Sequence, residues 1–276
     1  MLAQLSTRFQ RGILPALAAA AALVAAPALA ATCGNDAAGF ARWKQEFAPE
    51  AAAAGIGQAG LSALANASYA TRTINADRNQ TGVKYALDDF IRIRLGSLDS
   101  FASQARQRLN QNPAFYQSLQ QAYGVPPGIL LSIHGMETGW GRNMGSENVI
   151  NSIVTMAYDC RRSDFFVPHA LAALSMVDRG MLSTGQIGAF HGELGHTQFL
   201  PGNALRYGRD GNGDGRIDFS DQSDALASTA YYLQQMGWQA GQPYQEGTAN
   251  FRVLNEWNAA TVYQQAIALS AQRIDG

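Results

Sequence analysis

Residues 128–145 read GILLSIHGMETGWGRNMG, an apolar run that closes on Glu137 and is followed at once by glycines. Val125-Pro126-Pro127 stands before it, a stiff turn with proline at the first helical positions, so a helix begins there. Ile129, Ile133 and Glu137 fall four apart, and Leu130 lies three before Ile133. Glu137 therefore projects from the face that carries the isoleucines. A carboxylate there loses solvent, its charged form is disfavoured and its pKa rises. That is the state a general acid needs near neutral pH. Gly139 and Gly141 end the helix and leave space beside the carboxyl, with Trp140 as a candidate wall. The plain alternative is a glutamate paired with Arg142 or satisfied by a backbone group.

The chain has 276 residues, enough for one large domain or two small ones. It is 47% hydrophobic and 15% charged, so it can bury a core. A formal net charge of -1 without a basic cluster argues against a nucleic-acid partner. Residues 1–30 read as an export signal, with Arg8 and Arg11, an alanine-rich run from Ile13 to Ala26, and Ala28-Leu29-Ala30 as the cleavage site. Pro15, Pro27 and the alanines make that run a poor membrane span, and no later segment reaches spanning length. Export places Cys33 and Cys160 in an oxidising compartment, where a Cys33–Cys160 disulfide would tie the mature N-terminus to the middle of the domain. Lipidation of Cys33 is disfavoured by Thr32 before it.

From Phe40 to about Leu119 the pattern is helical, strand-like alternation is scarce, and no repeat or Pro/Ser linker divides the chain. The expectation is one mainly α domain over residues 31–276, with an N-terminal helical part at 31–124 and a catalytic part at 125–276.

The motif VPPGILLSIHGMETGWGRNMG resembles the catalytic signature of lytic murein transglycosylases of the membrane-bound lytic transglycosylase B type. The resemblance continues through TMAYDCRRSDFF, GHTQFLPGNALRYG, DGNGDGRIDF, DALASTAYYLQQMGW and NFRVLNEWNAATVYQQAIALSAQRI, and covers nearly all of the mature chain. It implies a lysozyme-like transglycosylase fold with little β-structure, a periplasmic location and peptidoglycan glycan strands as partner. It implies cleavage between N-acetylmuramic acid and N-acetylglucosamine to leave 1,6-anhydro ends. Glu137 would be the single acid and base, whereas ordinary glycosidases use two carboxylates. It further implies substrate contacts from Gln198, Tyr232, Arg161, Arg162, Trp257, Asn258 and Tyr263. The arginine forks would suit stem-peptide carboxylates, while Tyr263 reads equally well as core packing.

Three positions depart from the family pattern. Ala189 and Ala260 replace serines, and Glu193 stands where a small residue is usual. Glu193 keeps open a hydrolytic muramidase, and the altered cleft keeps open a wall-binding scaffold without activity. His191 and His196 are five apart, not the four of a helical zinc motif.

Residues 210–221, DGNGDGRIDFSD, fit a twelve-residue EF-hand-like loop. Asp210, Asn212 and Asp214 take positions one, three and five, and Gly215 the turn at six. The Arg216 carbonyl stands at seven, Asp218 at nine and Asp221 at twelve. The expected cofactor is a structural calcium ion.

Overall fold

The computed structural model describes residues 31–80 and 85–276, so the export signal read at residues 1–30 lies outside the described residues. Its centre is the helix expected from the proline pair, α7 (Pro127–Thr138), with Pro127 in the first turn. Gly139, at φ 59°, ends it and donates its amide to the Gly135 and His134 carbonyls, a left-handed cap that suits glycine. The helix departs from the one-sided burial that the isoleucine spacing suggests. Nearly every residue from Gly128 to Thr138 is buried, and Glu137 alone among them is only partly covered. An all-round apolar helix belongs in the middle of a bundle, and α7 is wrapped on several sides.

The last helix, α13 (Thr261–Asp275), lies along α7. Close approach needs Gly128, where a Cβ would stand 2.6 Å from the Ala271 carbonyl. The Gly128 amide donates to the Asp275 carboxylate at 2.8 Å, and Ser270 and Ser132 share a buried hydroxyl contact at 2.8 Å. On another side lies α5 (Leu98–Gln111), whose Phe101 packs on Gly135 and on the Trp140 ring. Trp140 is consequently core, 9% exposed, rather than a cleft wall. The Arg108 guanidinium covers its ring at 4.1 Å, a cation–π contact.

Beyond α7 the chain forms β1 (Glu147–Asn148), then α8 (Val149–Tyr158) and α9 (Ser163–Asp178), which pack against each other. β1 pairs antiparallel with β2 (Ile187–Gly188), Glu147 opposite Gly188. That pair is the extent of named sheet among the described residues. The Cys33–Cys160 disulfide is present. Beside it Gly34 and Asp159 form a parallel bridge, with amide bonds of 3.0 Å from Gly34 to Tyr158 and from Cys160 to Gly34. The buried apolar side chains form one connected cluster that runs from Phe40 to Ile274.

Candidate active site

Glu137 sits at the C-terminal end of α7, where the glycine cap opens the structure. Its Oε1 accepts two hydrogen bonds, from the Tyr263 hydroxyl at 2.7 Å and from the Trp257 indole at 3.0 Å. Tyr263 comes from the first turn of α13, and Trp257 ends α12 (Ala249–Trp257). Burial pushes the Glu137 carboxyl up from its ordinary value. The Tyr263 and Trp257 donors and the Arg94 charge pull the other way, and Glu193 adds to the rise. Desolvation wins, so the protonated form persists to higher pH than in water. Arg142 does not pair with it: its Nε donates to the Gly139 carbonyl at 2.9 Å.

A cleft of about 110 Å³ opens on this carboxyl, lined by Gln198, Leu200, Asn203, Tyr232, Glu256 and Trp257 among others. Gln198 arrives through a tight turn in which Leu194 and Phe199 exchange amide bonds of 2.8 and 3.1 Å. Gly195 in that turn has φ 61°, and a Cβ there would strike the Phe219 carbonyl at 1.8 Å. Gln198 itself is held at φ 56°, with its side-chain amide on the Gly195 carbonyl at 2.8 Å. A non-glycine residue in that region is strained, and such strain concentrates where a side chain must be aimed. The Tyr232 hydroxyl donates to the Glu256 carbonyl at 2.7 Å, and burial followed by the Glu256 charge lifts its pKa to about 12.

The remaining expected site residues fall into separate groups. Tyr263, 5% exposed, holds the acid and is not part of the cleft lining, whereas Trp257 both holds the acid and lines the cleft. Asn258 shapes the turn into α13: its side chain accepts from the Ala260 amide at 3.0 Å and its carbonyl accepts from Gln264 at 2.8 Å. Arg161 and Arg162 both reach Asp77, a buried carboxylate on α3 (Thr71–Arg78). His191 lies 3.6 Å from that same carboxylate and 3.1 Å from Glu193. Burial pushes Glu193 up, but the His191 ring and amide more than offset this, and its pKa ends below the ordinary value. His196 instead meets the buried His134 at 2.9 Å, so His191 and His196 do not converge.

Four participants escaped the sequence. Asp77 is an ordinary helical aspartate until the fold brings two arginines to it. Arg94, at the end of α4 (Leu87–Arg94), donates to the Met136 carbonyl at 3.2 Å and sends its charge toward Glu137. Glu256 is a second carboxylate on the cleft. Asp224 is the fourth, and it belongs to the loop of residues 210–221.

In that loop the side chains of Asp210, Asn212, Asp214 and Asp218 fold onto nearby loop amides at 2.6 to 2.9 Å. One oxygen of the position-twelve residue, Asp221, is engaged elsewhere. It caps α11 (Gln222–Gln235), accepting from the Ser223 and Asp224 amides at 2.7 and 3.3 Å. The loop instead wraps Asp224, 1% exposed, which accepts from Gly211 and Asp218 at 2.8 Å. Oxygen donors of this kind suit a hard cation such as calcium. As they stand, no three acidic, histidine or cysteine side chains among the described residues converge on one point.

A family description, "Transglycosylase SLT domain", matches residues 39–249. The chain belongs to that family. The match spans α7, the Gln198 turn and Tyr232, while Trp257 and Tyr263 lie beyond it. Membrane-bound lytic murein transglycosylase B of Escherichia coli K12 is 37% identical over 123 residues, 44% of this chain and 34% of that protein. The alignment therefore spans about a third of that relative's length. SltB3 of Pseudomonas aeruginosa, solved with NAG-anhNAM-pentapeptide, is 27% identical at a TM-score of 0.77, over 86% of this chain and 80% of that one. Slt35 of Escherichia coli, solved with calcium, has a TM-score of 0.75 at 22% identity, over 88% of this chain and 96% of that one; it speaks for the fold. The mainly α, lysozyme-like architecture expected from the sequence is thus observed.

The hydrogen bond from Tyr263 can be tested through acidity. It lowers the Glu137 pKa, so Tyr263→Phe is expected to move the alkaline limb of the kcat/KM profile to higher pH. Losing a donor to a charged acceptor should also cost about tenfold or more in kcat/KM. An unmoved alkaline limb would show that the hydroxyl does not act on the acid.

Proposed function

We propose that this protein is a periplasmic lytic transglycosylase that cleaves the β-1,4 bond between N-acetylmuramic acid and N-acetylglucosamine in peptidoglycan. The observation that carries it is the desolvated Glu137, pinned by Tyr263 and Trp257 and facing a cleft with Gln198 and Tyr232. Glu137 gives its proton to the glycosidic oxygen as the bond to C1 breaks. The muramyl 6-hydroxyl oxygen then bonds to C1, and its proton passes to Glu137, which is restored. No water enters the products. The anion formed in between is stabilised where it arises by the Tyr263 and Trp257 donors and by Arg94.

Relatives support this reading: one is called a lytic murein transglycosylase, and another was solved with a NAG-anhNAM-pentapeptide. Arg161 and Arg162 remain candidates for stem-peptide carboxylates, with their charge partly matched by Asp77. Among the described residues no helix is long and apolar enough to cross a membrane. A hydrolytic muramidase is the second reading. Glu193, with both oxygens on His191, is ill placed to activate water, which leaves Glu256 as its candidate base. Mass spectrometry of muropeptides released from purified sacculi tests the proposal. Ends in 1,6-anhydromuramic acid support it; reducing muramic ends contradict it.

A structural calcium ion is part of the same proposal. Asp210, Asn212, Asp214 and the Arg216 carbonyl would hold it, with Asp224 as closing carboxylate in place of Asp221. The ion would neutralise the clustered acids and fasten the loop to α11. Calcium in hundredfold excess over its Kd is expected to add about 2.7 kcal/mol of stability, read as a rise in Tm that Asp210→Ala and Asp224→Ala each abolish. A wild-type Tm indifferent to calcium and to chelator contradicts it.

A further inference from the structure

Glu256 lines the Glu137 cleft, and it is the charged side chain there that the reaction proposed above does not use. It is exposed. Among the described residues it joins no ion pair, and its carboxylate takes part in no hydrogen bond to another side chain. Its backbone is nevertheless fixed. The Tyr232 hydroxyl binds its carbonyl at 2.7 Å, and the next residue, Trp257, is locked onto Glu137 at 3.0 Å. The Glu256 backbone is thus held at a set place on the rim relative to the acid. The polar lining residues Gln198, Asn203 and Tyr232 are neutral, and in the reaction proposed above Glu137 starts as the protonated acid.

An unpaired carboxylate in such a place favours one substrate group above others. An acetamide offers it a neutral N–H, a lactyl or stem carboxylate is repelled, and an ammonium makes a charge-assisted hydrogen bond. We infer that Glu256 makes this cleft select an ammonium group on the peptidoglycan strand. Two chemistries supply one: a de-N-acetylated hexosamine, or the side-chain amine of a diamino acid in the stem. The inference rests on the function proposed above and adds a substrate class to it.

The test compares glycan strands that differ in their amines. One pair is stem-free, either fully acetylated or partly de-N-acetylated. A second pair carries stems with the diamino acid either free or chemically acetylated. Wild type is expected to show a kcat/KM about fivefold higher for the amine-bearing member of at least one pair, the upper end for an exposed ion pair. The pair that responds identifies the source of the amine. Glu256→Gln should bring that ratio to near one, Glu256→Lys should invert it, and raised salt should shrink the wild-type ratio. Equal ratios for wild type and Glu256→Gln in both pairs, with anhydro ends still produced, overturn the inference and leave the proposed function standing. Calorimetric binding of the same strands to Glu137→Gln reads the preference without turnover. Absence of cleavage by wild type would therefore sink the activity, while equal binding of both members of each pair would separately sink the selection.

Discussion

Replacing Glu137 by Gln is expected to lower glycan cleavage by about three to four orders of magnitude, the upper range for a group that serves in turn as general acid and base. The amide keeps the shape and can still accept from Tyr263 and Trp257, but it has no proton to give and cannot take one. The same substitution should raise stability. The folded-state pKa of Glu137 lies above its unfolded value of 4.5, so ionising the group disfavours the fold. Wild-type stability is expected to fall as pH rises from the unfolded value through the folded one, and the glutamine variant should escape that loss. Thermal melts of the two proteins across that window, alongside initial rates on sacculi, measure both effects. A variant that retains activity removes Glu137 from the chemistry. A variant no more stable at neutral pH removes the desolvation argument.

The second large effect is on stability. The Cys33–Cys160 bridge joins residues 127 apart, and the chain-entropy argument assigns so long a loop about 5 kcal/mol as an upper value. The bridge also holds the short parallel pairing of Gly34 with Asp159. Asp159 pairs with Arg78 at 2.6 Å, and Arg161 and Arg162 follow at once in the chain. Cys33→Ser with Cys160→Ser should lower Tm by many degrees and loosen the arginine segment, with reductant reproducing the shift in wild type. Equal melting of the oxidised wild type and the double serine variant would leave the bridge without a role in stability.

How far the site could be read in advance follows from where its parts lie. Glu137 was legible because its helix, cap and glycines are contiguous in sequence. The isoleucine spacing was a poorer guide than it looked, since α7 is buried on nearly every side and its period selects no face. The sequence leaves Tyr263 undecided between packing and contact because its hydroxyl bonds a residue 126 positions away. Asp77 and Arg94 are single charges on helices remote from any motif, and only packing gives them partners. The calcium template ends at position twelve, so it stops on Asp221. The buried carboxylate lies three residues further, one turn into α11, where a loop pattern no longer looks. The family matches fix the fold.

In the proposed reaction the muramyl hydroxyl, not water, bonds to C1. Digestion of sacculi by wild-type protein in water enriched in oxygen-18, with mass spectrometry of the released ends, tests it most directly. The expected result is 1,6-anhydro ends free of heavy oxygen, with product from Glu137→Gln lowered by about three to four orders of magnitude. Reducing ends that carry the label, lost on Glu256→Gln, would contradict it and establish hydrolysis by a pair of carboxylates.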